Sequence, residues 1–187
     1  MFIGGLGFRD DAVEIRRNLG VLPEALGLFE SLTILENLMA IGPIYGLTKG
    51  ETKKRATNLL ELLALTQGRH TVARDCSFGM RKKTALAMAL LHKPRVLLLD
   101  EPFEGIDPAS SAVIETLLGQ LSSNGTTILL TSHILSIVQK IATRVVIIHQ
   151  GRVESDFNPP TTEEGVEEVY FSIVGQPQPE VPDWLSS

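Results

Sequence analysis

Two short apolar runs in this sequence lead directly to side chains that can do chemistry. Val96-Leu97-Leu98-Leu99 runs into Asp100-Glu101, and Thr127-Ile128-Leu129-Leu130 runs on to Ser132-His133. Such runs fit strands buried on both faces, as in a parallel sheet. In open parallel sheets, ligands sit at the carboxyl ends of the strands. A carboxylate there can hold Mg²⁺ on a nucleotide, and an adjacent Glu can polarise the attacking water. A histidine on a neighbouring strand can hydrogen-bond the terminal phosphate. The same residues also suit a solvated strand end and an ordinary helix start, so the pattern alone leaves both readings open.

A second cluster lies upstream, at Asp75-Cys76-Ser77-Phe78-Gly79-Met80-Arg81-Lys82-Lys83. Ser77 is a good helix cap. Yet the first turn behind it has no carboxylate, and three cations follow at once. Cations near a helix N-terminus oppose the macrodipole by roughly 0.3–1 kcal/mol each. An anion at the amides of Phe78, Gly79 and Met80 would explain the arrangement. So would basic side chains that reach solvent or carboxylates elsewhere. Gly105-Ile106-Asp107-Pro108 adds a further acidic turn, for which a helix cap is an equally good account.

The elements that must position these groups can be read from local patterns. Thr33-Ile34-Leu35-Glu36 and Thr48-Lys49-Gly50-Glu51 are capping boxes. Behind the second, Ala56, Leu59, Leu60 and Leu63 form one apolar helix face, with Gly68 as the expected stop. Roughly residues 33 to 92 therefore read as helical. After Lys93-Pro94 the first buried strand appears. A helix opened by Asp107-Pro108 follows, with Ile114, Leu117, Leu118 and Leu121 inward and Asn124-Gly125 at its end. The second strand precedes a helix carrying Ile134, Ile137, Val138 and Ile141. A third strand, Val145 to Ile148, ends at Gln150-Gly151. This alternation predicts an α/β fold with a parallel sheet. Asn158 to Thr162 reads as a linker, and the acidic tail from Glu163 as one short helix. The expected organisation is one domain over 1–157, with a helical part near 33–92, then a linker and tail over 158–187.

Bulk properties narrow the functional classes. The 187 residues suit one domain, or one domain with a small lobe, and 43% hydrophobic with 5% aromatic content implies an aliphatic core. A net charge of -5 argues against a nucleic-acid binder. The single cysteine, Cys76, excludes an internal disulfide and fits a reducing, cytosolic compartment. No apolar run approaches the ~18–20 residues of a membrane helix. Met1 to Gly5 carries no charged leader segment. The expectation is a soluble protein that meets a membrane only through partners.

The order of the pieces carries a resemblance. Ser77-Phe78-Gly79-Met80, an Ala/Leu-rich helix, Val96 to Glu101, Gly105-Ile106-Asp107-Pro108 and Ser132-His133 resemble the nucleotide-binding subunit of ABC transporters. There they are the signature motif, Walker B, the D-loop and the H-loop. Leu22-Pro23-Glu24 looks like the Q-loop, and Leu28 to Leu38 like the approach to the family's helical subdomain. The similarity runs from about residue 13 to about 155. It implies a P-loop NTPase-like parallel sheet with an inserted helical subdomain. It also implies roles: Asp100 binding Mg²⁺ through water, Glu101 as catalytic base, and His133 on the γ-phosphate. Asp107 would couple two subunits, and Glu24 would lie near the metal and the coupling surface. Ser77, Gly79 and Met80 would close over ATP held by a second ATPase subunit, in a homo- or heterodimer. Residues 28 to 45 would face a transmembrane permease, at the inner face of the cell membrane.

The sequence also departs from the family. None of its 16 glycines is followed by lysine, so it contains no Gly-x-x-x-x-Gly-Lys phosphate loop. The expectation is a domain whose first strands and phosphate loop are missing. Glu24 stands where Gln is usual, and Phe78 and Met80 replace a Gly and a Gln of the commonest signature. That relaxed signature resembles ATPase subunits that pair with separate export-type permeases. Two other readings stand beside an ATP-hydrolysing subunit. One is a non-catalytic partner, or gene remnant, lending Ser77 and Gly79 in trans. The other, an unrelated α/β hydrolase using Asp100 and His133, leaves the signature helix unexplained.

Overall fold

The computed structural model describes residues 2–3, 6–7, 12–159 and 165–175. They fall into two compact units, Met1–Ser132 and His133–Ser187. In the first, β1 (Phe2–Ile3) and β2 (Leu6–Gly7) pair antiparallel, and α1 (Ala12–Asn18) leads straight into β3 (Leu19–Leu22). Three helices follow, α2 (Ile34–Ile44), α3 (Lys49–Leu62) and α4 (Phe78–Leu90), with a 3-10 turn at Ala73–Asp75 before the last. β4 (Val96–Asp100), α5 (Pro108–Ser123) and β5 (Thr127–Thr131) complete the unit. β3, β4 and β5 form a parallel sheet with β4 in the centre.

Local chemistry sets the helix ends. Both capping boxes form: the Thr33 and Thr48 hydroxyls accept from the amides of Glu36 and Glu51 at 3.2 Å. The two carboxylates return the bond to the cap amides at 2.8 and 2.9 Å. α3 stops at Leu62, well before Gly68. Ala64 takes the left-handed conformation instead (φ +54°). Leu65 N–H then donates to Leu60 C=O, and Ala64 N–H to Glu61 C=O. These are the paired bonds of a Schellman ending, made without its usual glycine. The stretch 33–92 is thus three helices with an irregular passage between α3 and α4.

Two further expectations need correction. Val145–His149 does not extend the parallel sheet, and the third parallel strand is Leu19–Leu22. Burial on both faces also fails. Leu22, Leu97 and Leu99 are buried on one face. The register aligns Val21, Leu98 and Leu129 in a row on the other. There Val21 is 45% and Leu129 66% exposed.

α4 backs the sheet closely. A Cβ on Gly20 would lie 2.3 Å from Ala89 O, so only glycine lets β3 approach that helix. Beyond the helix, His92 joins three segments. Its ring stacks on Tyr45, the C-cap of α2, at 3.7 Å between centroids, and its Nε2 lies 3.1 Å from Leu19 O. A carbonyl can only accept, so Nε2 carries the proton and Nδ1 is left buried without a hydrogen bond. Burial pushes the imidazole's pKa below its ordinary value, and the cation of Arg55 adds to this against the opposing carbonyl contact.

In the second unit, α6 (Leu135–Ile141) precedes an antiparallel hairpin, β6 (Val145–His149) and β7 (Arg152–Phe157), and then α7 (Val166–Val174). Gln150 and Gly151 are both left-handed, which suits the right-handed twist of a two-residue hairpin. Val145, Ile147 and Val166 make the core, against Val138, Phe157 and Tyr170 among others. Arg144 grips Asp156 with two bonds, at 2.7 and 2.6 Å. The short helix expected in the tail is α7, whereas the linker expected at Asn158–Thr162 lies partly outside the described residues.

Three outcomes follow for stability. Gly20→Ala is expected to destabilise by about 1–3 kcal/mol in urea titration, as overpacking against a backbone atom does. Gly50→Ala, in open space on α3, should be neutral or gain up to ~1 kcal/mol. For His92 the folded pKa lies below the unfolded one, so protonation favours unfolding. Its contribution is complete above about pH 6.5 and declines as pH falls below that value. The melting temperature should therefore drop from pH 7.5 to 5.5, and His92→Phe should flatten that part of the profile.

Candidate functional site

Asp100, Glu101, Thr131 and Glu24 lie at the carboxyl end of the parallel sheet. Asp100 ends β4 and is paired in register with Thr131, which ends β5. The Thr131 hydroxyl donates to Asp100 Oδ1 at 2.5 Å and accepts from the Glu101 N–H at 3.1 Å. One hydroxyl therefore touches both members of the Asp-Glu pair. Glu101 is left-handed (φ +45°), a conformation that costs a residue with a Cβ. That bend turns the chain sharply out of the strand, into a loop anchored by buried Pro102 and Phe103. Glu24 lies in the turn that follows β3, closed by Leu26 N–H on Pro23 C=O at 3.0 Å. Because Leu22 is aligned with Leu99, Glu24 leaves the sheet at the same end as Asp100. His133 stands two residues beyond Thr131, exposed, in the bend before α6 and at the first position of the second unit.

The start of α4 resolves the puzzle of its cations. Ser77 Oγ accepts from the Met80 N–H at 3.3 Å, as expected of a cap. Arg81 pairs with Glu30. Lys82, only 2% exposed, donates to Glu104 Oε2 at 3.2 Å and sits 5.2 Å above the Phe78 ring. Lys83, also buried, donates to Ser110 Oγ at 3.1 Å. The charges thus reach protein partners, two of them carboxylates, and no anion at the Phe78, Gly79 and Met80 amides is needed to explain them. Glu30 is presented by a loop that Asn37 stitches down. The fully buried Asn37 amide donates to Phe29, Leu32 and Thr33 carbonyls and accepts from the Phe29 N–H.

Those contacts bind the Ser77–Gly79 turn to the loop behind Glu101. Lys82 holds Glu104, and Lys83 holds the first turn of α5. A Cβ on Gly79 would lie 2.9 Å from Gly105 O, and one on left-handed Gly105 would strike the Phe78 ring at 2.4 Å. Asp107 caps α5, its Oδ1 accepting from Ser110 N–H at 2.9 Å. The Ser110 side chain and then its amide hold the Asp107 carboxyl below the usual carboxylate range, with Lys83 adding to this.

Among the described residues, no group of three or more His, Cys, Asp or Glu could cage a metal. The lone Asp100 carboxylate suits Mg²⁺, which commonly takes one or two protein carboxylates and completes its shell with phosphate and water. With Thr131 on Oδ1, the second carboxylate oxygen is the one placed to meet a hydrated cation. The donor set therefore fits a metal carried in on a nucleotide.

Residues 5–104 match the family described as ABC transporter. The chain belongs to that family. It is 38% identical over 151 residues to the linearmycin resistance ATP-binding protein LnrL of Bacillus subtilis (strain 168), covering 81% of this chain and 49% of that protein. It is 32% identical over 155 residues to the bacitracin transport ATP-binding protein BcrA of Enterococcus faecalis, covering 82% and 49%. It thus spans about half the length of these curated relatives. A solved ATP-binding subunit of an ABC transporter superposes with a TM-score of 0.82 at 27% identity, over 92% of this chain and 75% of that one. The resemblance carried by the ordered motifs and the α/β fold class both hold. Sequence reading missed Thr131 and the Lys82–Glu104 tie. Aligning the two five-residue strands end to end would have set Thr131 beside Asp100.

The buried tie in this ABC-family chain can be measured. Glu104→Ala leaves the Lys82 ammonium buried without its carboxylate and should cost about 1–3 kcal/mol in urea unfolding. Adding Lys82→Met, which removes the stranded charge and keeps an apolar stem, should recover most of that loss. Two losses that simply add would show that the pair does not interact.

Proposed function

We propose that this chain supplies the ATP-hydrolysing chemistry of an ABC transporter whose membrane path belongs to a separate permease subunit. The observation that carries the reading is the clamped Asp100-Glu101 pair at the carboxyl end of the parallel sheet. Asp100 would hold Mg²⁺ through water, and the metal would supply charge neutralisation on the phosphates. Glu101 would take the proton of the attacking water, and His133 would hydrogen-bond the γ-phosphate. Glu24 would line the metal side of the site, towards the permease. Ser77, Gly79 and Met80 would close over ATP on a second ATPase subunit, with Asp107 at that contact.

Other features support a peripheral position on the inner face of the cell membrane. Among the described residues, no helix is long and apolar enough to cross a membrane. Export is the direction proposed here, in keeping with a relative named for linearmycin resistance.

A graft tests this. The chain alone has no Gly-Lys pair, so it should bind MgATP weakly and hydrolyse it negligibly. Joined behind the phosphate-loop segment of a relative, it should hydrolyse ATP. Glu101→Gln should then lower kcat by roughly 10²–10⁴ while nucleotide binding persists, the loss expected when a general base is removed. A graft that binds MgATP and turns it over indifferently to Glu101→Gln would overturn the assignment. A graft that binds but never hydrolyses would favour a non-catalytic partner.

A further inference from the structure

We propose that Thr131 is a positioning residue that couples Asp100 to the backbone of Glu101. The inference rests on the ATP-hydrolysing reading of this site and adds to it a residue that none of the motifs contains.

Three observations carry it. The first is connectivity. A single hydroxyl donates to Asp100 Oδ1 at 2.5 Å and accepts from Glu101 N–H at 3.1 Å. A hydroxyl has one proton to give. Giving it to Asp100 leaves its lone pairs for Glu101, so the two bonds support one another in a single chain. The second is register. Thr131 is the cross-strand partner of Asp100, so the rigid β4–β5 ladder presents its hydroxyl. The third is the Glu101 backbone, left-handed at φ +45°. A residue with a Cβ persists in that conformation only where its surroundings hold it. The Thr131 hydroxyl bonds the very amide at that bend.

The consequence is chemical. With Thr131 on Oδ1, the Asp100 carboxylate cannot rotate freely, and its other oxygen keeps a set direction toward an incoming hydrated cation. Charge drawn away from the carboxylate weakens its hold on the hydroxyl proton. That change is transmitted to the Glu101 amide, and so to the residue that carries the base. A hydroxyl is required: valine keeps the shape and strand preference but loses both bonds, and serine keeps both bonds.

The test compares Thr131→Val with Thr131→Ser, each first shown by thermal melting to fold. In the chain itself, without nucleotide, amide hydrogen exchange at Glu101 should quicken about tenfold in Thr131→Val, as losing one hydrogen bond implies. It should stay within about twofold of the native rate in Thr131→Ser, which keeps the bond. In the phosphate-loop graft, Thr131→Val should raise the Mg²⁺ concentration for half-maximal hydrolysis and lower kcat, with KM for ATP unchanged. Thr131→Ser should restore both. Native exchange at Glu101 in Thr131→Val, or a serine variant indistinguishable from valine in a folded protein, would overturn the proposal. Should the graft fail to hydrolyse ATP, the ATPase reading fails, and the exchange measurement still decides whether Thr131 holds Glu101.

Discussion

A lysine buried to 2% exposure must have a partner, and Lys82 draws its partner from across the chain. An unpaired ammonium in an apolar setting is among the costliest groups a fold can contain. Glu104 answers it, and Glu104 lies just past the Asp100-Glu101 pair. The loop that leaves β4 is therefore held against the first turn of α4. Buried Lys83 makes the same demand and Ser110 answers, while the half-buried Arg81 pairs with Glu30. Three neighbouring cations thus tie together the approach to α2, the loop behind β4 and the start of α5. The turn at Ser77–Gly79 and the carboxylates at the sheet end become parts of one body. Motion of either would have to strip a buried charge, so the two ends are expected to move together.

Legibility in the sequence followed the range of the interaction. The capping boxes at Thr33 and Thr48, the cap at Asp107 and the strand end at Asp100 are short-range patterns and the structure forms them, whereas β5 ends at Thr131, two residues before His133. The destinations of Arg81, Lys82 and Lys83 were not legible, because their partners lie from 22 to 51 residues away. The end of α3 differs because the stop expected at Gly68 is made four residues earlier, where Ala64 accepts the left-handed bend. β3 escaped because four residues, one of them glycine, carry too little pattern to mark a strand. Thr131 was hidden in plain view, since a threonine in a strand is ordinary β-former usage. Only its register against Asp100 gives it another meaning.

β6 shows how an apolar run can mislead about its partner. Val145 to His149 looks like the buried strands before it, yet Gln150-Gly151 folds it back on Arg152–Phe157. The hairpin turn is decided locally, by two residues that tolerate left-handed backbone. Hydropathy states how much of a strand is covered. It does not state which strand lies alongside.

The left-handed backbone at Glu101 has a consequence for how this chain can be altered. Glycine, or to a lesser extent asparagine, would relieve that conformation. The substitutions that relieve the backbone at this position are therefore ones that delete the carboxylate. Selection for thermal robustness alone would work against the residue proposed above as the base.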